Sequence, residues 1–412
     1  MSNFRTPVQG DTVIGTLRDG DDPGARPMCV LMGILQASIR GGPSGHLPFL
    51  VRELRAQGVE VWEESYGNAL GSIGWAARLM QILKTIREMR AAQARRTFDI
   101  VQLNTSFDIK ALTRDLLVVS ALRHQGQKIV LKFHGSEAGL ISTVNPFLRL
   151  MIKMLLSKVH AAGVLSQEER SNFVEAGFDA SKIVIVKNIL DPSMYRPDPG
   201  FRQRSGLSPD IPVLLYAARF IPGKGVLDAV RACGELSGRG VDVVLICAGD
   251  GPEKEAAEQE AQRLGIGSRV RFPGFLPEEE MRELYANATL LVFPTFYDEG
   301  FPMVVFQSVA AGLPVITTRR RGAADYLREP DNCLWTEPHN PAMLADKVQE
   351  LLKSPALRAS MSSANRTLAR GFSAETVAGE FVALYRRLVT PHGLCPAEQI
   401  TAPAEQSSDG QK

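Results

Sequence analysis

Short apolar runs alternate along this chain with longer stretches whose apolar residues recur every three or four positions. The first set of runs is Met28–Leu35, Gly58–Trp62, Phe98–Leu103, Lys128–Phe133, His160–Leu165 and Ile183–Val186. The second is Val213–Ala218, Val241–Ala248, Arg269–Phe272, Thr289–Phe293 and Pro314–Thr318. Each run reads as a strand and most intervening stretches as helices. Strands alternating with helices predict a doubly wound parallel sheet, and the pattern occurs twice. The expectation is an α/β chain of two facing Rossmann-like domains, at 28–196 and 211–373. Residues 197–210, with Pro197, Pro199, Gly200, Gly206 and Pro209, read as the linker between them. Residues 1–27 and 391–412 read as disordered tails.

The most informative stretch runs from Phe293 to Thr318. Pro294 stops the strand before it, and a polar loop then carries Asp298 and Glu299. Gly300-Phe301-Pro302 opens an apolar segment that ends at Gly312, with Pro suited to a helix start and Gly to its end. The loop would lie at the carboxyl edge of the sheet, where open α/β folds bind ligands, and a helix start there favours anions. Upstream, Arg219 stands at a strand end and Lys224 five positions on, across a Pro-Gly loop. That spacing lets a guanidinium fork and an ammonium converge on one diphosphate; the plain alternative is two surface cations. Gly41 and Gly42 follow the first strand, where backbone N–H groups could approach a phosphate or simply form a tight turn. His134 ends another strand and is followed by Gly135. It is placed to touch a ligand, although a lone His is more often structural.

The Phe293–Thr318 stretch resembles the signature of the retaining glycosyltransferases of family 4, which have the GT-B fold. There a Glu-x7-Glu pair brackets Gly-Phe-Pro; here the first position is Glu299 and the second is Gln307, an amide. The segment Lys187-Asn-Ile-Leu-Asp191 ending in Tyr195-Arg-Pro197 is similar to the family's domain-boundary segment, with Ile189 in place of the usual Gly. The resemblance covers roughly residues 28–390 and is most specific in the second domain. It implies that Arg219 and Lys224 take up charge on the departing diphosphate in place of a divalent metal, so no metal or other cofactor is expected. Glu299 would hold hydroxyls of the donor sugar. Gly41, Gly42, Gly249, Gly300 and Phe301 would shape the donor pocket through their backbones. His134 would lie near the donor sugar and the acceptor hydroxyl. Gln307 would meet the nucleotide ribose without charge, weakening or altering nucleotide binding. Retention implies front-face attack or a short-lived ion pair, not a two-carboxylate glycosidase mechanism. The helix at 374–390 would cross back onto the first domain. The function implied is transfer of a sugar from a nucleotide-diphosphate sugar to a glycan or lipid-linked acceptor, in surface polysaccharide or glycoconjugate synthesis. The alternative is a nucleotide-sugar-binding protein with reduced or lost turnover.

Composition narrows the partners. A formal charge of +2 over 412 residues demands no nucleic acid. Cys29, Cys233, Cys247, Cys333 and Cys395 are scattered, as in a reducing compartment. The start lacks the apolar core of a signal peptide, and no stretch approaches the roughly 18 apolar residues of a membrane span. The expected location is cytoplasmic, with contact to the inner face of the membrane an open question. Trp75–Arg90 reads as a helix with Trp75, Leu79, Ile82, Ile86 and Met89 on one stripe and cations around it. Such a helix either lies on an anionic membrane or packs on its own sheet. Pro146–Lys158, apolar on nearly every side, reads as a buried helix or a second membrane-contact helix. A tail motif at Asp19-Gly20-Asp21-Asp22 mimics a metal-binding pattern but sits where nothing would preorganise it. Neither domain has G-x-G-x-x-G after its first strand with an acidic residue closing the next, which argues against a nicotinamide enzyme.

Overall fold

The computed structural model describes residues 26–34, 43–67, 74–122, 126–136 and 138–390. Gly41, Gly42, the Asp19–Asp22 motif, Cys395 and nearly all of both tails lie outside these residues. The first half runs β1 (Cys29–Ile34), α1 (Pro43–Ala56), β2 (Glu60–Ser65), α2 (Trp75–Arg95), β3 (Ile100–Phe107) and α3 (Ile109–Ala121). It continues with β4 (Lys128–Ser136), α4 (Ala138–Ile141), α5 (Pro146–Lys158), β5 (Ala161–Val164), α6 (Gln167–Glu175) and β6 (Ile183–Ile185). After a short helix α7 (Phe201–Arg204) come β7 (Val213–Ala217), α8 (Val226–Gly238), β8 (Val244–Ala248), α9 (Lys254–Arg263), β9 (Val270–Gly274) and α10 (Glu278–Asn287). The chain closes with β10 (Leu290–Phe293), α11 (Met303–Ala311), β11 (Val315–Thr318), α12 (Arg321–Tyr326), β12 (Cys333–Thr336), α13 (Pro341–Lys353), α14 (Pro355–Ala369) and α15 (Ala374–Val389).

Two six-stranded sheets result, ordered β2-β1-β3-β4-β5-β6 and β12-β11-β10-β7-β8-β9, with all pairings parallel. Helices cover both faces, so the central strands are buried throughout: every residue of β7, β10 and β11 is buried. The strand order reverses between β1 and β3 in the first sheet and between β7 and β10 in the second. A crevice opens at such a point because the flanking connections leave toward opposite faces. In the second sheet that crevice lies between the loops carrying Arg219–Lys224 and Asp298–Glu299.

The two halves pack together in two places. Helix α15 returns to the first sheet, burying Val377, Ala378, Phe381 and Tyr385. The Tyr385 hydroxyl donates to Gln102 on β3, and Lys187 Nζ lies 2.5 Å from Glu380 Oε1. Each fully buried aromatic or branched side chain there contributes about 1.5–3 kcal/mol. The second contact joins the start of α6 to α12 and to the loop after β10. Because α6, α12 and that loop all follow strand carboxyl ends, the carboxyl edges of the two sheets face each other.

The structure adds detail to several elements of the sequence reading. Helix α2 buries Ile82, Thr85, Met89, Ala92 and Gln93, leaving Trp75 and Leu79 exposed. Helix α5 is not wrapped on all sides: it buries Ile152, Leu155 and Leu156 and exposes Phe147, Leu150 and Met154. The Pro/Gly-rich segment after Pro197 is packed down, since Phe201 and Leu207 are buried. Cys247 and Cys333 are buried free thiols, as their apolar surroundings suggest.

Candidate active site

The loop after β7 is bent by two glycines in the left-handed region, Gly223 (φ 96°) and Gly225 (φ 82°). A Cβ on Gly225 would stand 2.4 Å from the Pro294 carbonyl oxygen. The Gly223 carbonyl in turn accepts from Phe296 N at 2.7 Å, Tyr297 N at 2.9 Å and Thr295 Oγ1 at 3.1 Å. These bonds sew the β7 and β10 loops together across the crevice. The Tyr216 hydroxyl donates to the Lys224 carbonyl at 3.0 Å and fixes the end of the loop from below.

The result is a held ammonium. Lys224 is buried, its Nζ 2.5 Å from Glu299 Oε1 and 4.5 Å from the centre of the Tyr297 ring. Burial pushes its pKa down; Glu299 opposes that shift, and the nearby charge of Arg219 adds to it. Arg219 is exposed and makes no ion pair among the described residues. It stands close enough for Lys224 to feel its field, and its fork remains available for a ligand. Two cations and one carboxylate therefore lie near the switch point.

The glycine backbones are equally constrained. Gly249 has φ 142°, and a Cβ there would meet the Ala218 carbonyl oxygen at 1.8 Å. Gly300 follows Glu299 directly, while the Phe301 ring leaves the crevice and stacks on Phe306 at 3.8 Å. Phe301 can thus serve a ligand only through its backbone. Gln307 lies one turn into α11, half-buried, with its side chain hydrogen-bonded to the Tyr195 hydroxyl. Its amide is engaged at the domain boundary.

His134 stands near the end of β4, on the edge of the first sheet. The sequence reading missed the residues that join the two edges. Arg321 is almost completely buried, at φ 38°, with its guanidinium 3.1 Å from Glu168 Oε1, 3.4 Å from Asp298 Oδ2 and 3.9 Å from Glu169 Oε1. Glu168 and Glu169 belong to α6 of the first half, and Asp298 adjoins Glu299. The Gln167 backbone N–H also donates to Asp325 Oδ2 at 2.8 Å. Ser166-Gln-Glu-Glu169 reads from sequence as a helix cap, and Ser166 Oγ does accept from Glu169 N at 3.2 Å. The run Arg319-Arg320-Arg321 after a strand was the available signal for its partner. Among the described residues, no group of three His, Cys, Asp or Glu side chains could hold a metal ion, and no helix is long and apolar enough to cross a membrane.

A family model described as glycosyl transferases group 1 matches residues 198–368. Those residues belong to that family. The group 1 region contains the whole Arg219–Lys224–Glu299 arrangement. Among curated proteins, the chain is 28% identical over 261 residues to a GDP-mannose-dependent alpha-(1-6)-phosphatidylinositol monomannoside mannosyltransferase of Mycolicibacterium smegmatis, covering 61% of this chain and 68% of that protein. It is 29% identical to a D-inositol 3-phosphate glycosyltransferase of Corynebacterium efficiens, covering 59% of this chain but only 60% of that one. Among solved structures, Anabaena HepE in complex with UDP and glucose aligns with TM-score 0.69 at 20% identity, over 87% of this chain and 99% of that one. Sucrose-phosphate synthase from Thermosynechococcus elongatus aligns with TM-score 0.72 at 18% identity, over 88% and 99%. These likenesses show the fold: the group 1 region is the second half of a GT-B chain.

Proposed function

We propose that this protein transfers a sugar from a nucleotide-diphosphate sugar to a glycan or lipid-linked acceptor, with retention of configuration and without a metal ion. The observation that carries this reading is the buried Lys224 ammonium held 2.5 Å from Glu299, with Arg219 beside it, at the strand-order reversal of the second sheet. As a glycosidic bond to a diphosphate breaks, negative charge grows on the leaving phosphate. Cations already fixed where that charge appears lower the barrier without reorganising. Lys224 supplies a point charge from below and Arg219 a fork from the rim. Glu299, one side of its carboxylate on Lys224, directs the other toward sugar hydroxyls. His134, on the opposite sheet edge, borders the acceptor.

Relatives support the donor class: one curated relative is named for GDP-mannose and a structural neighbour is described with UDP and glucose. The names of the mannosyltransferase and inositol-phosphate enzymes favour glycoconjugate acceptors. Retained Lys224 and Glu299 weigh against a protein that binds donor without turnover. The test is a radiolabelled nucleotide-sugar screen against lipid and glycan extracts, with and without chelator. Label transfer that persists in Arg219→Ala, or that a chelator abolishes, would refute the assignment.

A further inference from the structure

The exposed large apolar residues of the first half concentrate on one layer. Helices α2, α3 and α5 lie side by side on the sheet face opposite α15, with α3 in the middle. Trp75 is 81% exposed, Ile109 50%, Val144 96%, Phe147 67% and Leu150 54%. Trp75 and Ile109 are the first residues of α2 and α3, Phe147 is the second of α5, and Val144 stands two residues before the start of α5. Helices α2 and α3 follow the carboxyl ends of β2 and β3, and α5 begins the return from the carboxyl end of β4 after the short α4, so all four residues stand toward the edge of the sheet that carries His134. Leu83 and Met154 extend the apolar surface down the helices.

The net charge of this layer is positive. Arg78, Lys84, Arg87, Lys110, Arg149 and Lys153 lie on the same three helices, whose only acidic residues are Glu88 and Asp115. Glu88 pairs with Lys84 at 3.8 Å, and Asp115 is buried against Arg114. An apolar patch rimmed by cations is costly to leave in water. Aromatic residues on such a rim suit the headgroup region of a bilayer, where cations meet anionic lipid. A second copy of this chain is disfavoured, since two such faces would repel.

We propose that the helix-start edge of α2, α3 and α5 docks on an anionic lipid bilayer, turning the mouth of the cleft toward the membrane surface. The docking stands whether or not the cleft transfers a sugar, because it depends on a separate face. It goes beyond an amphipathic α2 alone: three helix starts act together, and every charged residue of α5 is a cation.

The test is co-sedimentation of the full chain with phosphatidylcholine vesicles, with and without phosphatidylglycerol, at low and high salt. Binding is expected only with phosphatidylglycerol, falling as salt screens the contact. Each cation near the surface is worth about fivefold in partitioning. Arg149→Glu with Lys153→Glu should therefore lower it at least about a hundredfold while circular dichroism stays unchanged. Tryptophan emission should shift blue on binding, and Trp75→Phe should remove the shift. Phe147→Ser should weaken binding without altering its salt dependence. No binding to any vesicle, equal binding by the charge-reversed variant, or a dimer in light scattering that covers this face would overturn the proposal.

Discussion

The Glu169 carboxylate, on the first half of the chain, fills the space where a side chain at position 300 would stand: a Cβ on Gly300 would lie 2.6 Å from Glu169 Oε2. The same oxygen accepts from Leu165 N at 2.8 Å, so it cannot swing away freely. The donor loop and the opposite domain are therefore in van der Waals contact one residue from Glu299. Gly300→Ala is expected to destabilise by about 1–3 kcal/mol, as overpacking does, and to lower turnover. Glu169→Ala in the same chain should recover part of both losses. A double-mutant cycle by thermal melting and activity reads this directly; additive effects would mean that the contact carries no coupling.

Removing either site cation should act mainly on catalysis. Lys224→Met and Arg219→Ala are each expected to lower kcat by about 10²–10³, the usual effect of losing one group aimed at developing charge. Burial lowers the Lys224 pKa from its ordinary value, and the ammonium is lost as pH rises through that lowered value. Binding of a nucleoside diphosphate, followed by calorimetry, should therefore weaken on the alkaline side at a lower pH than a free lysine would dictate. The alkaline limb should disappear in Lys224→Met.

Arg321 offers a separable pair of effects. Its guanidinium bridges α6 to Asp298, and its backbone sits at φ 38°, a region unfavourable to side chains. Since Glu168 and Asp298 are half-exposed, Arg321→Ala is expected to cost about 2 kcal/mol, below the value for a wholly buried pair. Arg321→Gly loses the same charge but suits the backbone. It should melt above Arg321→Ala by the equivalent of about 1 kcal/mol.

Lys132 should make stability depend on pH. Its ammonium is buried, with Nζ 3.3 Å from the Lys187 carbonyl oxygen and 5.4 Å from the Phe381 ring centre, while the nearby Lys187 is itself paired with Glu380. Burial pushes it from 10.5 down to about 7. Between those values the unfolded chain holds more protons at this residue than the folded one, so its contribution to stability improves as pH rises. The penalty is complete below about pH 7 and gone above about 10.5. Lys132→Met should melt higher than the native chain at about pH 6, and the gap should close by about pH 10. A gap independent of pH would show that Lys132 is not buried charged.

Much of the second half was legible because its signals are local. A glycine at φ 82° beside Lys224, and a Gly-Phe-Pro at a helix start, depend on neighbouring residues in the chain. The α2 stripe left two readings open because periodicity tells which residues share a face, not what that face meets. Trp75 and Leu79 fall on the apolar stripe yet stand exposed in the first turns of α2, while Ile82 and Met89 further along are buried. The same ambiguity hid the exposed side of α5, whose apolar residues occupy every face.

The sequence by itself determined the alternation of strands and helices, the doubled sheet and the spacing of Arg219, Lys224 and Glu299, since backbone propensity and chain connectivity set these. Only the tertiary structure decided that Glu169 and Arg321 close over Gly300, that Gln307 turns to Tyr195, and that three helix starts share one open apolar edge. Those relations join residues far apart in the chain, and they exist only once packing has brought their surfaces together.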